Sequence, residues 1–344
     1  MATISQPLKG ATTHTLPPGS VKFDWIVLLL NTWWVGGVFV DGWAHNHGKV
    51  DQTFFTPWHA ILYSGFFVTG LFFVGMVVKN HAQGYPWLRS LPLGYGTSLW
   101  GVCVFAIGGV LDLTWHLLFG IENSTAALLS PTHLTLAFGI VLAASGPFRA
   151  AWLRSAPQRQ ETLLGLLPTL LSLAYVYAIF TFFTQYANPV IHSQADKQAG
   201  SVELGLASIL LQTAVFMGVA LLAMRRWQLP PGTFAILFLL NGAGEAILGD
   251  NSSILAVAVA SLLTGLLVDL LYTALKPTVE RREALRFFAF LAPVTIQTVY
   301  FLGLLAIHGI AWSVHLWIGS IFMSGVIGFQ LSYLLVPPPL PAEP

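Results

Sequence analysis

Charged side chains are scarce in this chain of 344 residues, in which Asp, Glu, Lys and Arg together make up 8%. Soluble domains carry about 25% charged residues, so the composition excludes a water-soluble globular protein. The net charge of only +1 excludes a nucleic-acid-binding protein, which needs a large basic excess. Disorder is excluded as well, because 55% of the residues are hydrophobic. These absences leave the lipid bilayer as the solvent.

Cysteine is almost absent too. The single Cys103 cannot form an intramolecular disulfide, so cysteine usage does not indicate a redox compartment.

Residues 1–23 contain no apolar core followed by a small-residue cleavage site, and we therefore expect no removable signal peptide.

Long apolar stretches fill nearly the whole sequence. A helix needs about 20 mostly apolar residues to cross the hydrocarbon layer, and ten such stretches are separated by short breaks with Pro, Gly, Asn or Asp. The sequence therefore predicts an all-α, multi-pass membrane protein with about ten spans. The predicted spans are 24–44, 56–79, 95–119, 131–152, 162–186, 200–224, 231–248, 253–275, 284–306 and 310–336.

Basic residues predict the orientation of these helices. Short cytoplasmic loops of membrane proteins hold the excess of Lys and Arg. With both termini in the cytoplasm, thirteen of the fifteen Lys and Arg residues fall inside, and only Lys49 and Lys197 fall outside. We therefore expect a cell-membrane protein with cytoplasmic N- and C-termini.

Most ionisable residues within or beside the spans map to the outer half of the membrane. Such residues are costly in a bilayer and mark functional sites by default. Asp269 is the exception, because it lies toward the inner side within a span. The outer set is Asp41, His45, His47, His59, Asp112, His116, His133, His192, Glu203, Glu245, Asp250, His308 and His315.

One helical hairpin occurs twice in tandem. The Asp and the first His recur after 71 residues, and the second His recurs after 74, which a loop longer by three residues explains. Glycines recur as well, since Gly37 and Gly65 match Gly108 and Gly139. The repeated sets are Asp41, His45 and His59 in the first copy, and Asp112, His116 and His133 in the second.

Each copy predicts a cluster of one carboxylate and two imidazoles. An Asp and a His four residues apart lie on one face of a helix. The sequences Thr56-Pro57 and Ser130-Pro131 are typical of a helix start, which places the second His in the first turn of the next helix. Two imidazoles and a carboxylate suit a transition-metal ion with open positions. His47 is an alternative to His45, and a hydrogen-bonded Asp-His proton relay is an alternative to a metal site.

Further candidates come from weaker similarities. Glu203 and His315 stand near helix starts, where the repeats have their second His, and are candidate extra ligands; Glu203 is also a candidate catalytic base. We expect one membrane domain composed of a four-helix half, 1–155, with both hairpins, and a six-helix half, 156–344, of unclear function.

The motifs resemble those of the C subunit of particulate methane and ammonia monooxygenases. Asp112-Leu-Thr-Trp-His116 and Phe55-Thr-Pro-Trp-His59 are similar to the Asp-x-Thr-Trp-His and Phe-Thr-Pro-x-His sequences of that family. The likeness covers about 40 residues, and the spacing between the histidines is one residue longer in the first copy and four longer in the second. The resemblance implies that both Asp-His-His sets are copper ligands, that Asp41 and Asp112 belong to a catalytic centre, and that other membrane subunits are partners.

Four functions follow from these observations. The leading one is a copper-dependent membrane oxidoreductase, a monooxygenase or hydroxylase, that acts on a small apolar or lipophilic substrate, with iron as an alternative metal. A metal transporter, an intramembrane zinc hydrolase with Glu203 or Glu245 as the base, and a non-catalytic assembly subunit are the others.

Overall fold

The computed structural model describes residues 16–49, 54–120, 125–154, 163–188, 193–195, 201–249 and 254–338. The fold is all-helical, with 82% of these described residues in helices. Within the described ranges there is no β-strand, and a single bridge joins Gln194 to Ile310.

Twelve α-helices follow one another within the described residues, together with two short 3₁₀ helices, Trp87–Arg89 and Gln185–Ala187. The α-helices are α1 Val21–Asn46, α2 Pro57–Ala82, α3 Gly96–Phe119, α4 Thr125–Leu129, α5 Pro131–Ala144, α6 Gly146–Leu153, α7 Leu163–Phe183, α8 Val202–Arg226, α9 Thr233–Leu248, α10 Ile254–Leu275, α11 Arg282–Ile307 and α12 Val314–Leu335.

Each of the ten predicted apolar stretches is helical. Eight helices of the described chain are long and apolar enough to cross a membrane, and the fold is that of a multi-pass membrane protein. The other two stretches differ from a simple span. Helices α5 and α6 form one stretch that bends by 40°, and α9 has only 16 residues.

Hydroxyl side chains begin the helices that carry the repeated motif. Thr56 Oγ1 accepts the backbone N–H of His59 at 3.1 Å, and Ser130 Oγ accepts that of His133 at 3.3 Å. A proline follows each of these caps in the first turn, where its missing N–H costs nothing. The predicted helix starts are therefore confirmed in both copies.

Glycines bring the two helices of each hairpin into close contact. A Cβ atom on Gly65 would lie 2.7 Å from the Cα of Trp34, and one on Gly139 would lie 2.7 Å from the backbone nitrogen of Phe105. Only a residue without a side chain fits at such a distance. Because the second His of each copy begins the helix that contains this glycine, the close packing fixes that His beside the Asp of the preceding helix.

The two halves of the chain share one core. The apolar cluster of the first hairpins, which contains Trp34 and Phe105, also includes Ile179 and Phe182 of α7 and Leu248 of α9. A second cluster lies mainly between α7, α8, α9 and α11. The end of α1 that carries Asp41 therefore packs against the six-helix half.

Three charged residues at the end of the helices away from the Asp-His sets have structural partners. Asp24 is 1% exposed, pairs with Arg154 and accepts the hydroxyl of Tyr95 at 2.5 Å. Asp269 accepts the backbone N–H groups of Phe234 and Ala235 at the start of α9. These contacts account for the burial of Asp24 and Asp269 far from the repeated motif.

Candidate metal centre

The first Asp-His-His group forms where α1 ends and α2 begins. Asp41 and His45 lie one turn apart on α1, with Oδ2 of Asp41 3.8 Å from Nε2 of His45. His59, in the first turn of α2, places its Nε2 3.4 Å from Asp41 Oδ1. That Oδ1 atom is buried and has no hydrogen bond within the described part of the chain.

The second group repeats this arrangement between α3 and α5. Nε2 of His116 lies 3.5 Å from Oδ2 of Asp112, and Nε2 of His133 lies 3.4 Å from Oδ1 of the same residue. In each hairpin one carboxylate therefore lies between the Nε2 atoms of two imidazoles.

Both groups have the spacing of a metal-ligand set. In each, one ligand atom from each of the three residues lies within 4.8 Å of the others. Two ligand atoms bound about 2.1 Å from one tetrahedral ion lie about 3.4 Å apart. Distances of 3.4 to 3.8 Å thus need only small adjustments of the side chains around an ion.

Backbone carbonyl groups fix the proton of one imidazole in each group. His59 Nδ1 is 2.6 Å from the carbonyl oxygen of Phe54, and His116 Nδ1 is 3.2 Å from that of Gly120. A carbonyl oxygen only accepts hydrogen bonds, so these Nδ1 atoms carry the proton. In the neutral ring Nε2 then presents a lone pair toward the carboxylate. Two such electron-rich atoms face one another stably only when a proton or a metal ion lies between them.

Hydroxyl groups add support that is specific to the second group. Thr132 Oγ1 donates to Asp112 Oδ1 at 2.8 Å, and Ser130 Oγ is hydrogen-bonded to Nδ1 of His133 at 2.8 Å. Partners of this kind orient metal ligands and hold them ready for the ion. The second group is also less exposed at its carboxylate, since the side chain of Asp112 is 2% exposed and that of Asp41 is 15% exposed.

The two groups are separate neighbours. The Phe54 ring lies between them, with its centroid 5.0 Å from that of His59 and 6.2 Å from that of His116. Tyr63, one turn below His59, stands edge-on to that imidazole at 6.2 Å and packs over Gly109 of α3. The six residues therefore form two three-residue groups side by side.

The other predicted site residues lie elsewhere. His47 Nδ1 is 2.8 Å from the carbonyl of Trp43, and its ring stacks on that indole, so this residue does not replace His45. Glu203 is exposed and accepts the hydroxyl of Ser201, and His315 is exposed on α12. Neither belongs to a metal-ligand group among the described residues. His192 and Asp250 lie outside those residues.

Sequence reasoning missed the partners of the histidines. Phe54 and Gly120 act through their carbonyl groups, which any residue possesses, so no sequence signal could have identified them. Thr132 carried a usable signal, because a hydroxyl next to His133 in a helix start can reach the facing helix.

No protein-family model, no curated protein and no solved structure matches this chain. The functional proposal therefore rests on the residues and the geometry of the chain itself.

Proposed function

We propose that this protein is a membrane metalloenzyme that binds one copper ion in each Asp-His-His group and acts as an oxidoreductase on a small apolar substrate. The observation that supports it most is the tautomer of His59 and His116. Their Nδ1 atoms lie beside carbonyl oxygens, so in the neutral ring the Nε2 lone pairs face the carboxylates of Asp41 and Asp112, an arrangement that a metal ion bound between them would stabilise.

The donor set limits the metal. Two imidazoles and one carboxylate, with positions left for other ligands, suit copper, iron or zinc. The similarity of the hairpin motifs to the copper-binding C subunit of methane and ammonia monooxygenases favours copper. Bound copper supplies one-electron and oxygen chemistry. The chain's own contribution is to hold two imidazoles and a carboxylate in place and to surround them with Phe54, Tyr63 and other apolar side chains.

The surroundings support an enzyme over a transporter. A transport path needs polar groups through the bilayer, but the aromatic side chains of Trp34, Phe66 and Phe105 pack against one another just below the two groups. A zinc hydrolase needs a nearby base, but Glu203 hydrogen-bonds to Ser201 at an exposed helix start and Glu245 accepts from Asn188, and neither belongs to a metal-ligand group of the described residues.

We further propose that the two groups face the outside of the cell membrane. Ten spans, with α5–α6 as one bent span and α9 as a short one, leave both termini in the cytoplasm together with most basic residues. A cysteine-labelling scan tests this topology, since a cysteine at position 123 should react from the outside only.

Metal analysis of the purified protein tests the proposal. We expect two copper ions per chain, one in His59→Ala, one in His133→Ala and none in the double variant. His47→Ala is the matched control, because this His lies two residues from His45 but outside the group.

The results separate the alternatives. Zinc at both sites would favour a hydrolase. Iron at both sites would correct the identity of the metal but would still agree with an oxidoreductase. Equal metal content in the native protein and in the double variant would refute the ligand assignment. Oxygen consumption with small alkanes or alcohols and an added two-electron reductant, lost in the double variant, would then test the reaction itself.

A further inference from the structure

A small polar pocket lies inside the six-helix half, away from the Asp-His groups. Its wall comes from α7, α8, α9 and α11, and it is near the middle of α8, since Thr213 is the twelfth of 25 helix residues. The residues around it are Tyr177, Gln212, Thr213, Phe216, Phe238, Pro293, Ile296 and Gln297.

One polar atom in the wall of this pocket has no partner. The side chain of Thr213 is 4% exposed, and its Oγ1 makes no hydrogen bond within the described residues. A threonine hydroxyl in a helix commonly bonds to a carbonyl of its own helix, as Thr264 does in α10. A buried unpaired hydroxyl is costly, so its presence beside a cavity indicates a bound partner.

The size of the pocket limits that partner. The space open to the centre of a water molecule is about 30 Å³, and one water needs about 10–15 Å³ by this measure. Two water molecules fit, whereas an organic substrate does not. Gln212 and Gln297 supply amide groups that can both donate and accept, so an occupant can form the two to four hydrogen bonds that a buried water needs.

We propose that this pocket binds a small neutral hydrogen-bonding molecule, namely water, in the middle of the membrane. The bound molecule should be neutral, because the wall of the pocket contains two amides, a hydroxyl and a phenol but no charged side chain. Pro293 contributes to the space, because a proline within a helix removes a backbone hydrogen bond and kinks the helix.

Two hydrogen bonds lie between the pocket and the end of α1. Gln212 Nε2 donates to Thr184 Oγ1 at 2.8 Å, and the neighbouring Gln185 accepts from Asn46 Nδ2 at 2.9 Å. Asn46 follows His45 on α1. Polar side chains therefore lie between the pocket and the end of α1 that carries the first Asp-His-His group, although the pocket itself does not depend on any metal there.

Hydroxyl-radical footprinting of the full-length protein in lipid nanodiscs tests the proposal. X-rays split bound water into hydroxyl radicals, and these radicals oxidise the side chains that contact the water. We expect oxidation of Tyr177 and Phe216, which are 8% and 3% exposed. Phe73 and Phe288, both 0% exposed and outside the pocket, are the controls and should stay unmodified. Thr213→Val should lower the oxidation of Tyr177 and Phe216 severalfold. Equal oxidation of all four aromatic residues, or none in the pocket, would overturn the proposal.

Thermal stability gives a second test with opposite signs. If water binds Thr213, the nearly isosteric Thr213→Val loses a hydrogen bond and should lower the melting temperature. If the hydroxyl is unpaired, valine should raise it, which would contradict the proposal. Ser208→Ala is the matched control, because Ser208 Oγ is also buried without a partner in the described chain but does not line the pocket. This substitution should not lower the melting temperature.

Discussion

The hydroxyl of Thr132 donates a 2.8 Å hydrogen bond to the Oδ1 atom of Asp112, whereas the Oδ1 atom of Asp41 accepts no hydrogen bond from the described residues. Trp58 stands at the matching position there, and its indole nitrogen donates to the carbonyl of Lys49 instead. The duplicated sites therefore share their ligands but differ in what supports them. A carboxylate held by a hydrogen bond loses less freedom when it binds an ion, so the second site should hold metal more firmly.

We predict that a chelator removes the two metal ions at different rates. The first site should empty quickly and the second slowly, because Asp112 is more buried than Asp41 and is hydrogen-bonded. Thr132→Val should speed the slow phase about tenfold or more, the effect typical of lost ligand support. Absorbance of the chelator complex over time measures both phases.

Thr135→Val is the control for this variant. Its hydroxyl bonds to the carbonyl of Pro131 on the same helix and does not touch Asp112. A single phase in the native protein, or the same acceleration by both substitutions, would show that Thr132 does not support the site.

Acid should release the metal. Histidine binds a metal ion only as the neutral ring, and its ordinary pKa is about 6.5. Protons therefore compete with the metal ion for the imidazole nitrogens as the pH falls. We expect metal content to be full at pH 7.5 and mostly lost near pH 5, with recovery on neutralisation, measured by equilibrium dialysis. Metal retained unchanged down to pH 4 would contradict imidazole ligation.

The close helix contact at Gly65 predicts a large effect of one methyl group. A Cβ atom there would lie 2.7 Å from the Cα of Trp34, so Gly65→Ala must push α1 and α2 apart. Overpacking of this kind costs about 1–3 kcal/mol of stability. Because these helices carry Asp41 and His59, we also expect the first site to lose metal while the second keeps it.

Gly75→Ala is the control on the same helix, since nothing lies within 4 Å of a Cβ at that position. It should not lower the melting temperature and should leave the metal content unchanged. Element analysis of the two variants side by side distinguishes loss of the site from general unfolding.

The hairpins could be predicted because their signals are local. Helix starts at Thr56 and Ser130, and an Asp and a His one turn apart, depend on neighbouring residues alone. His45, and not His47, faces Asp41. Two positions that are two residues apart at the end of α1 differ by 200° around the helix axis. The burial of Asp24 was not predicted, because its partners Tyr95 and Arg154 lie 71 and 130 residues away.

Structure also changes the interpretation of Asp269. As an acid within an apolar stretch it is a functional candidate by default. Its two oxygens instead accept the N–H groups of Phe234 and Ala235, which start α9 and have no partner inside that helix. The sequence cannot show this role, because Phe234 lies 35 residues before Asp269.

Substitution of Asp269 tests this structural role. Asp269→Ala leaves two buried N–H groups of α9 without acceptors, which should cost about 1–3 kcal/mol and lower the melting temperature. Asp269→Asn keeps one oxygen acceptor and should recover part of the loss. Metal content should stay at two ions per chain in both variants, because Asp269 belongs to neither group. If Asp269→Ala melted normally but bound less metal, Asp269 would act on the metal sites rather than on the start of α9.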